Sequence, residues 1–223
     1  MILAVDTSLG SAVALVDGDG HPRAEASSPD PLGHAEIIGT LLQRALAAAG
    51  GGAITHVVAG MGPGPFTGLR IGIAAGRAFA VGRGIDVVPV ASHDAAALAH
   101  IEGTGDDGAF AIVTDARRRE NAVSVYRGLD EHGLPARISA AELHPQAADL
   151  ATILPSATVI VPTGTAHDGA NAADAPTSII RAADLGRIAA RALAAGVAPG
   201  SDEPLYLRSP DVTVGHVRKR VST

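Results

Sequence analysis

The sequence predicts an α/β fold in two lobes, the second reduced, and three observations carry that reading. The order of elements in the hydrophobic pattern is three strands, then helix, strand, helix, strand and helix; it runs once over residues 1–107 and begins again over residues 108–223. Each round opens on a strand that ends in an acid, Asp6 in the first and Asp115 in the second. Hydrophobic types make up 47% of the chain but aromatics only 2%, so the packing units are small, which suits helices lying close on sheets. The recurrence is one of element order, not of sequence. The two rounds set the expected lobes, with a helix over 182–195 packing back toward the first lobe and a tail at 211–223.

Residues 2–6 alternate weakly, and 12–17 repeat the pattern after the turn-like Thr7-Ser8-Leu9-Gly10-Ser11, which reads as a β-hairpin. A third strand near 23–27 follows Asp17-Gly18-Asp19-Gly20. From His34 the apolar residues Ile37, Ile38, Leu41, Leu42, Ala45 and Leu46 recur at helical spacing until Gly50-Gly51-Gly52 stops them. Val57-Val58-Ala59 reads as a short buried strand; the glycine-proline stretch 60–68 leads into a helix over 69–82, and 85–90 is a strand. Ser92 is placed to cap a third helix. In the second round 110–115, 121–127 and 137–140 read as strands, 141–151 as a weak helix, 159–161 as a short strand and 182–195 as the closing helix. Residues 162–178, rich in Gly, Ala, Asp, Pro and Thr, read as loop, and this is what reduces the second lobe.

The chain has no cysteine, which excludes disulfides, thiolate zinc sites and a cysteine nucleophile. Its first residues do not form a signal peptide and no apolar run is long enough to span a bilayer, so a cytoplasmic protein is expected. Seventeen Lys and Arg stand against 23 Asp and Glu, a formal net charge of -6, and the surface as a whole repels a polyphosphate. The exception is His216-Val217-Arg218-Lys219-Arg220, which holds the chain's one lysine; it is either a solvated terminus or a phosphate-contacting arm.

Three motifs bear on chemistry. In Asp6-Thr7-Ser8-Leu9-Gly10, hydroxyls and turn amides can cradle a phosphate, or only satisfy a local turn. Gly62-Pro63-Gly64-Pro65-Phe66-Thr67-Gly68-Leu69-Arg70 lacks the lysine of a P-loop, and its two prolines lack amide donors. It reads as a rigid helix lead-in, with Thr67 as N-cap, Phe66 as a staple and Gly68 permitting close approach of another backbone. The helix behind it sets Arg70, Arg77 and Arg83 among Gly72, Ala74, Ala75, Gly76, Ala78 and Ala80, a small face that invites another helix. Asp115-Ala116-Arg117-Arg118-Arg119-Glu120 puts three arginines in a turn, able to bind an anion or an acidic partner, or simply solvated. No histidine pair has metal-ligand spacing on a helix, and no Gly-x-Ser-x-Gly elbow supports a hydrolase triad. No metal, cofactor or catalytic residue is expected.

Taken together, residues 2–8, His34-Ala35-Glu36, the glycine-proline segment through Gly72, Asp115-Ala116-Arg117 and Pro204-Leu205-Tyr206-Leu207-Arg208-Ser209-Pro210 resemble the TsaB (YeaZ) family, in order along nearly the whole chain. The chain differs at Pro65, where the family commonly has serine, and after Asp115-Ala116-Arg117, where Glu-Val-Tyr usually follows. The resemblance implies an actin-like ATPase (ASKHA) fold with two βββαβαβα lobes. It implies a catalytically silent subunit that serves beside the catalytic paralogue TsaD and the small ATPase TsaE in placing threonylcarbamoyl on tRNA adenosine, touching tRNA only indirectly and pairing into homodimers in isolation. The His-x-x-x-His metal motif of TsaD-like proteins is absent. The implied partner surface is His34, Glu36, Ile38, Leu41 and Leu42 on the first helix and Thr67, Leu69, Arg70, Ile73, Ala74 and Arg77 on the second. Asp6, Thr7, Ser8, Asp115 and Arg117 would make a degenerate nucleotide or anion site. A competing reading is an ATPase or sugar kinase of the same superfamily, with Thr163-Gly164-Thr165 as an adenosine-loop remnant; another is a tRNA-binding module that uses the tail.

Overall fold

The first seven elements follow from two kinds of burial. β1 (Ile2–Asp6) and β2 (Ser11–Val16) are buried at every position, as expected for strands covered on both faces. β3 (Pro22–Ser28) alternates because it lies at the edge. α1 (His34–Ala48), β4 (His56–Gly60), α2 (Phe66–Arg83) and β5 (Asp86–Val90) complete a five-stranded sheet of order β3-β2-β1-β4-β5. β1 runs antiparallel to β2 and parallel to β4, with Ile2 opposite both Val16 and His56. The computed structural model describes residues 1–30, 32–105, 107–154, 157–160 and 180–208.

Alternation along β1 sorts the core into two layers. Leu3 and Val5, with Val13, Leu15 and Val57, meet Ile38, Leu41 and Ala45 of α1 and Ala80 of α2 on one face. Ile2 and Ala4, with Ala14, Val16 and Val58, meet Leu185, Ile188 and Ala189 of α5 (Ala182–Ala195) on the other. α3 (Ser92–Thr104) shares that second layer through Ala95 and Leu98, while its Ala97 and Ile101 turn to Phe110, Ile112 and Tyr126 of the second sheet. It is therefore the wedge between the lobes.

The second sheet contains β6 (Ala109–Asp115), β7 (Glu120–Leu129), β8 (Pro135–Pro145) and β9 (Thr158–Ile160), in the order β8-β7-β6-β9. This repeats four of the first sheet's five strands, β3-β2-β1-β4, strand for strand and direction for direction, and the α/β fold is that of the actin-like ATPases. The hairpin pairs Asp115 with Asn121 and Thr114 with Ala122, so the unusual Asn121-Ala122-Val123 stays in register.

Three local expectations change. Of the helix expected over 141–151, residues 141–145 are instead the end of β8, and only α4 (Leu150–Ile153) is helical, capped by the Asp149 carboxylate on the Ala151 N–H; pairing with the long β7 overrides the helical preference of Ala, Glu and Leu. Helix α2 begins one residue before Thr67, with Pro65 at the cap position and no side-chain cap, so Thr67 does not cap it. Ser92 likewise is the first residue of α3, not its cap, and its hydroxyl is engaged elsewhere. The tail at 211–223 and the Thr163-Gly164-Thr165 remnant lie outside the described residues. No described helix is long and apolar enough to cross a membrane.

Candidate functional site

Asp6, Thr7 and Ser8, at the β1–β2 turn, are 1%, 1% and 4% exposed. Their polar atoms are all engaged from within. Ser8 donates its N–H and its hydroxyl to Asp6 Oδ1 at 2.8 and 2.6 Å, and the Ser92 hydroxyl donates to Asp6 Oδ2 at 2.5 Å while accepting the Gly62 N–H. The Thr7 hydroxyl donates to the Gly68 carbonyl at 2.7 Å and accepts the Gly72 N–H at 3.0 Å. Burial pushes the Asp6 carboxyl above its usual range, against the hydrogen bonds from Ser8 and Ser92.

What closes this turn is a row of glycines spaced by four. A Cβ at position 60 would stand 1.9 Å from Asp6 Oδ2, at 64 it would stand 2.8 Å from the Ser8 backbone, at 68 2.8 Å from the Thr7 carbonyl, and at 72 2.2 Å from Thr7 Oγ1. The α2 glycines at 68 and 72 are therefore spent on the β1–β2 turn, whereas Ala74 and Ala78 stay exposed. No room is left there for a phosphate, and the anion site expected of Asp6, Thr7 and Ser8 is filled by the chain itself.

Asp115 and Arg117 have a different fate. They line an open cleft of about 180 Å³ between the loop Pro63 to Phe66 and the β6–β7 turn, with Arg118 and Arg208 at its rim. That is below the roughly 300 Å³ at which pockets for small organic ligands begin. Asp115 Oδ1 accepts the Arg117 N–H at 2.7 Å and Gln146 Nε2 at 3.2 Å. The structure thus splits the five expected anion-site residues, three sealed and two open.

Behind the sealed turn, Ser92, His93 and Asp94 open α3 and tie the lobes together. His93 is wholly buried, its ring between Ser124 Oγ (2.8 Å) and Thr114 Oγ1 (2.9 Å); burial, helped by the nearby Arg137 charge, lowers its pKa to about 3. Asp94 Oδ1 accepts the Tyr126 hydroxyl at 2.7 Å and Arg137 Nη2 at 2.5 Å. Burial pushes the Asp94 carboxyl up and Arg137 counteracts it; burial works against the Arg137 charge, but Tyr126 and Asp94 outweigh it and hold that pKa above its ordinary value. Sequence reasoning passed over this network. Its one signal is three polar residues in a row ahead of an Ala- and Leu-rich helix, directly after a buried strand.

The surface expected to receive a partner is divided by burial. His34, Ile38, Leu41, Leu69 and Ile73, which the resemblance placed on that surface, are in the core, on the faces that α1 and α2 bury. His34 Nδ1 meets Ser11 Oγ at 2.8 Å. Glu36, Thr67, Arg70, Ala74 and Arg77 are exposed and Leu42 half-buried, so these six remain for a partner. A strap of residues 197–208 crosses one edge of this face: Asp202 pairs with Arg77 at 2.8 Å, Arg70 lies 3.7 Å over the Phe66 ring, and Tyr206 packs against Phe66 at 4.8 Å between ring centroids. The strap hangs on Met61, whose carbonyl accepts the Leu205 N–H at 2.8 Å.

Known proteins resemble this chain at three levels. The family model described as TsaD, tRNA N6-adenosine threonylcarbamoyltransferase, matches residues 32–154. An uncharacterized protein of Mycobacterium leprae is 39% identical over 133 residues, 57% of this chain and 35% of its own length. An uncharacterized protein of Mycobacterium tuberculosis is 39% identical over 126 residues, 53% of this chain and 56% of its own. The chain thus spans between about a third and just over half of these relatives. Among solved structures, a Pseudomonas aeruginosa protein described as similar to peptidase YEAZ aligns with TM-score 0.70 and 24% identity over 93% of this chain and 99% of the other. YeaZ from the same organism aligns with TM-score 0.67 and 24% identity over 92% and 99%.

Proposed function

We propose, from the premise that the chain belongs to the TsaD family of tRNA N6-adenosine threonylcarbamoyltransferases, that it is the family's TsaB-type member, a subunit with no catalytic centre of its own. It docks on the catalytic paralogue through the exposed faces of α1 and α2 and so completes the enzyme, with the small ATPase TsaE as a further member of the assembly and the cytoplasm as its place of work. The observation that carries the reading is the sealed β1–β2 turn. A nucleotide-using member needs that turn open to phosphate, and here Thr7 and Ser8 spend their hydroxyls on Gly68 and Asp6 under the glycine row.

The docking side is consistent in its chemistry. Ala74 and Ala78 are exposed on α2, beside Val81 at 83% exposure, and small or apolar residues on an exposed helix allow a partner helix close approach. The test is co-purification with the catalytic paralogue of the same organism, followed by tRNA modification with each subunit left out in turn. Modification that needs both, with no turnover by this chain alone, supports the reading. ATP hydrolysis by the pure chain would replace it with the kinase-like alternative, and full modification without this chain would overturn it.

A further inference from the structure

Between Glu36 and Asp86 the sequence holds no acid and four arginines, Arg44, Arg70, Arg77 and Arg83, in a chain whose formal net charge is -6. All four are exposed, Arg44 on α1 and the others on α2, and both helices cover the same face of the first sheet. Glu36, in the first turn of α1, is the one acid on either helix. The outer side of this helix layer is therefore the cationic side of an acidic protein. The start of α2 adds to that charge, since its first turn has no acid and no side-chain cap to offset the positive end of the helix dipole.

The strap treats two of these arginines differently. Arg77 is neutralised: its Nη2 donates to the Asp202 carboxylate at 2.8 Å and to the Asp202 carbonyl at 3.0 Å. Arg70 is fixed without being neutralised. Its guanidinium lies 3.7 Å over the Phe66 ring, its Nε donates to the Tyr206 hydroxyl at 3.4 Å, and the two rings pack at 4.8 Å between centroids. Among the described residues no acid pairs with Arg70, and its two Nη atoms have no hydrogen-bond partner. A free arginine gives up rotamer entropy when it joins an ion pair. One already stacked against two rings gives up less, and it presents both Nη atoms as a ready fork for a carboxylate.

We propose that Arg70 is a preset anchor for a carboxylate of the catalytic paralogue, an Asp or Glu side chain on the helix that lies along α2, and that Tyr206 of the strap is the residue that sets it. This rests on the function proposed above and names the chemistry of the partner. Ala74 and Ala78 follow Arg70 by one and two turns on the same exposed stripe, so a helix close enough to touch them brings its own side chains to Arg70. An acid at that point meets a cation with open donors, and the closing helices shield the pair from water. The small and apolar residues on the stripe, Ala74, Ala78 and Val81, favour a protein helix over an RNA backbone as the source of the anion.

The test measures the affinity of this chain for its catalytic paralogue, first without tRNA and then with it, over a series of salt concentrations, with Tm recorded for every variant. Arg70→Gln is expected to bind the paralogue about thirtyfold more weakly, with Tm little changed and a shallower dependence on salt. Arg127→Gln, exposed on β7, is expected to bind as the unaltered chain does. Arg70→Lys keeps the charge but not the fork and is expected to recover only part of the loss. Tyr206→Leu is expected to weaken the complex about fivefold in the unaltered chain and hardly at all in the Arg70→Gln background, because its effect runs through Arg70. Equal affinity of Arg70→Gln and the unaltered chain overturns the proposal and leaves the proposed function standing. Loss of tRNA from Arg70→Gln complexes of normal subunit affinity assigns the guanidinium to phosphate and also overturns it. A Tyr206→Leu effect of the same size in both backgrounds makes Tyr206 a contact in its own right and overturns its role in setting Arg70. Failure of the unaltered chain to join the paralogue overturns the reading beneath both.

Discussion

His93 gives the sharpest quantitative handle on the network between the lobes. Its ring is fully buried between Thr114 and Ser124, and its pKa falls from the ordinary 6.5 to about 3. Between those two values the unfolded chain binds a proton that the folded chain refuses. Stability from this group is therefore complete above pH 6.5 and is lost as pH falls toward 3. At pH 5, 1.5 units below the unfolded value, the loss is roughly 2 kcal/mol at about 1.36 kcal/mol per unit. Asp6 and Asp94, both raised above 3.8 by burial, act in the opposite sense: their contribution is full below 3.8 and is lost as pH rises through their folded values. His93→Asn keeps an amide donor and acceptor between the two hydroxyls, retains both acids and cannot take up the proton. Urea unfolding of both proteins at pH 7 and pH 5 is expected to show the unaltered chain losing about 2 kcal/mol more than the variant, which is about 4–8 °C in Tm for a chain of this length. Losses that agree within about 0.5 kcal/mol would mean that the ring titrates alike folded and unfolded, and that the interior beside Arg137 is wet.

On the proposed docking face, Ala74→Glu is expected to weaken the paralogue complex about a hundredfold with Tm unchanged, since it buries an unpaired charge only on association; Ile73→Glu, one residue earlier, puts the same charge in the core and is expected to fail by unfolding, as calorimetry and titration of the two variants together reveal. Gly72→Ala is expected to cost about 1–3 kcal/mol in denaturant unfolding through overlap with Thr7 Oγ1, whereas Gly39→Ala, exposed on α1 with nothing near its Cβ, is expected to gain up to about 1 kcal/mol. Ser92→Ala strips one donor from the buried Asp6 and the acceptor of the Gly62 N–H, an expected loss of about 1–3 kcal/mol by the same measurement.

Much of the fold was legible because its signals are local. The apolar spacing from His34 onward marks α1, the amphipathic run at 182–195 coincides with α5, and the strand pairs around Asp6 and Asp115 are read from alternation and turn residues. What a periodic pattern does not reveal is direction. Ile38, Leu41, Leu69 and Ile73 fit a partner-facing stripe and a core-facing stripe equally well, and only the tertiary arrangement puts them inward. The strap, too, has no periodicity, and its contacts with Arg70, Arg77 and Met61 span more than a hundred positions. Residues 141–145 read as helix from composition and are strand because β7 extends far enough to pair them.

The candidate site shows the same limit in a sharper form. Asp6-Thr7-Ser8 offers hydroxyls and a carboxylate in a turn, which is the chemistry of a phosphate cradle and equally that of a turn that satisfies itself. The decision lies some sixty residues on, in Gly60, Gly64, Gly68 and Gly72. Spaced by four, those on α2 lie on one helix face, and that face reaches Thr7 because it carries no Cβ. Close approach lets the Gly72 amide and the Gly68 carbonyl saturate the Thr7 hydroxyl, so the glycine row that seats α2 against the sheet also removes the phosphate site. On the function proposed above, structural support for the docking helix and loss of a phosphate site are then one feature, and a side chain large enough to reopen the turn would have to lift α2, and with it Arg70, Ala74 and Arg77, off the sheet.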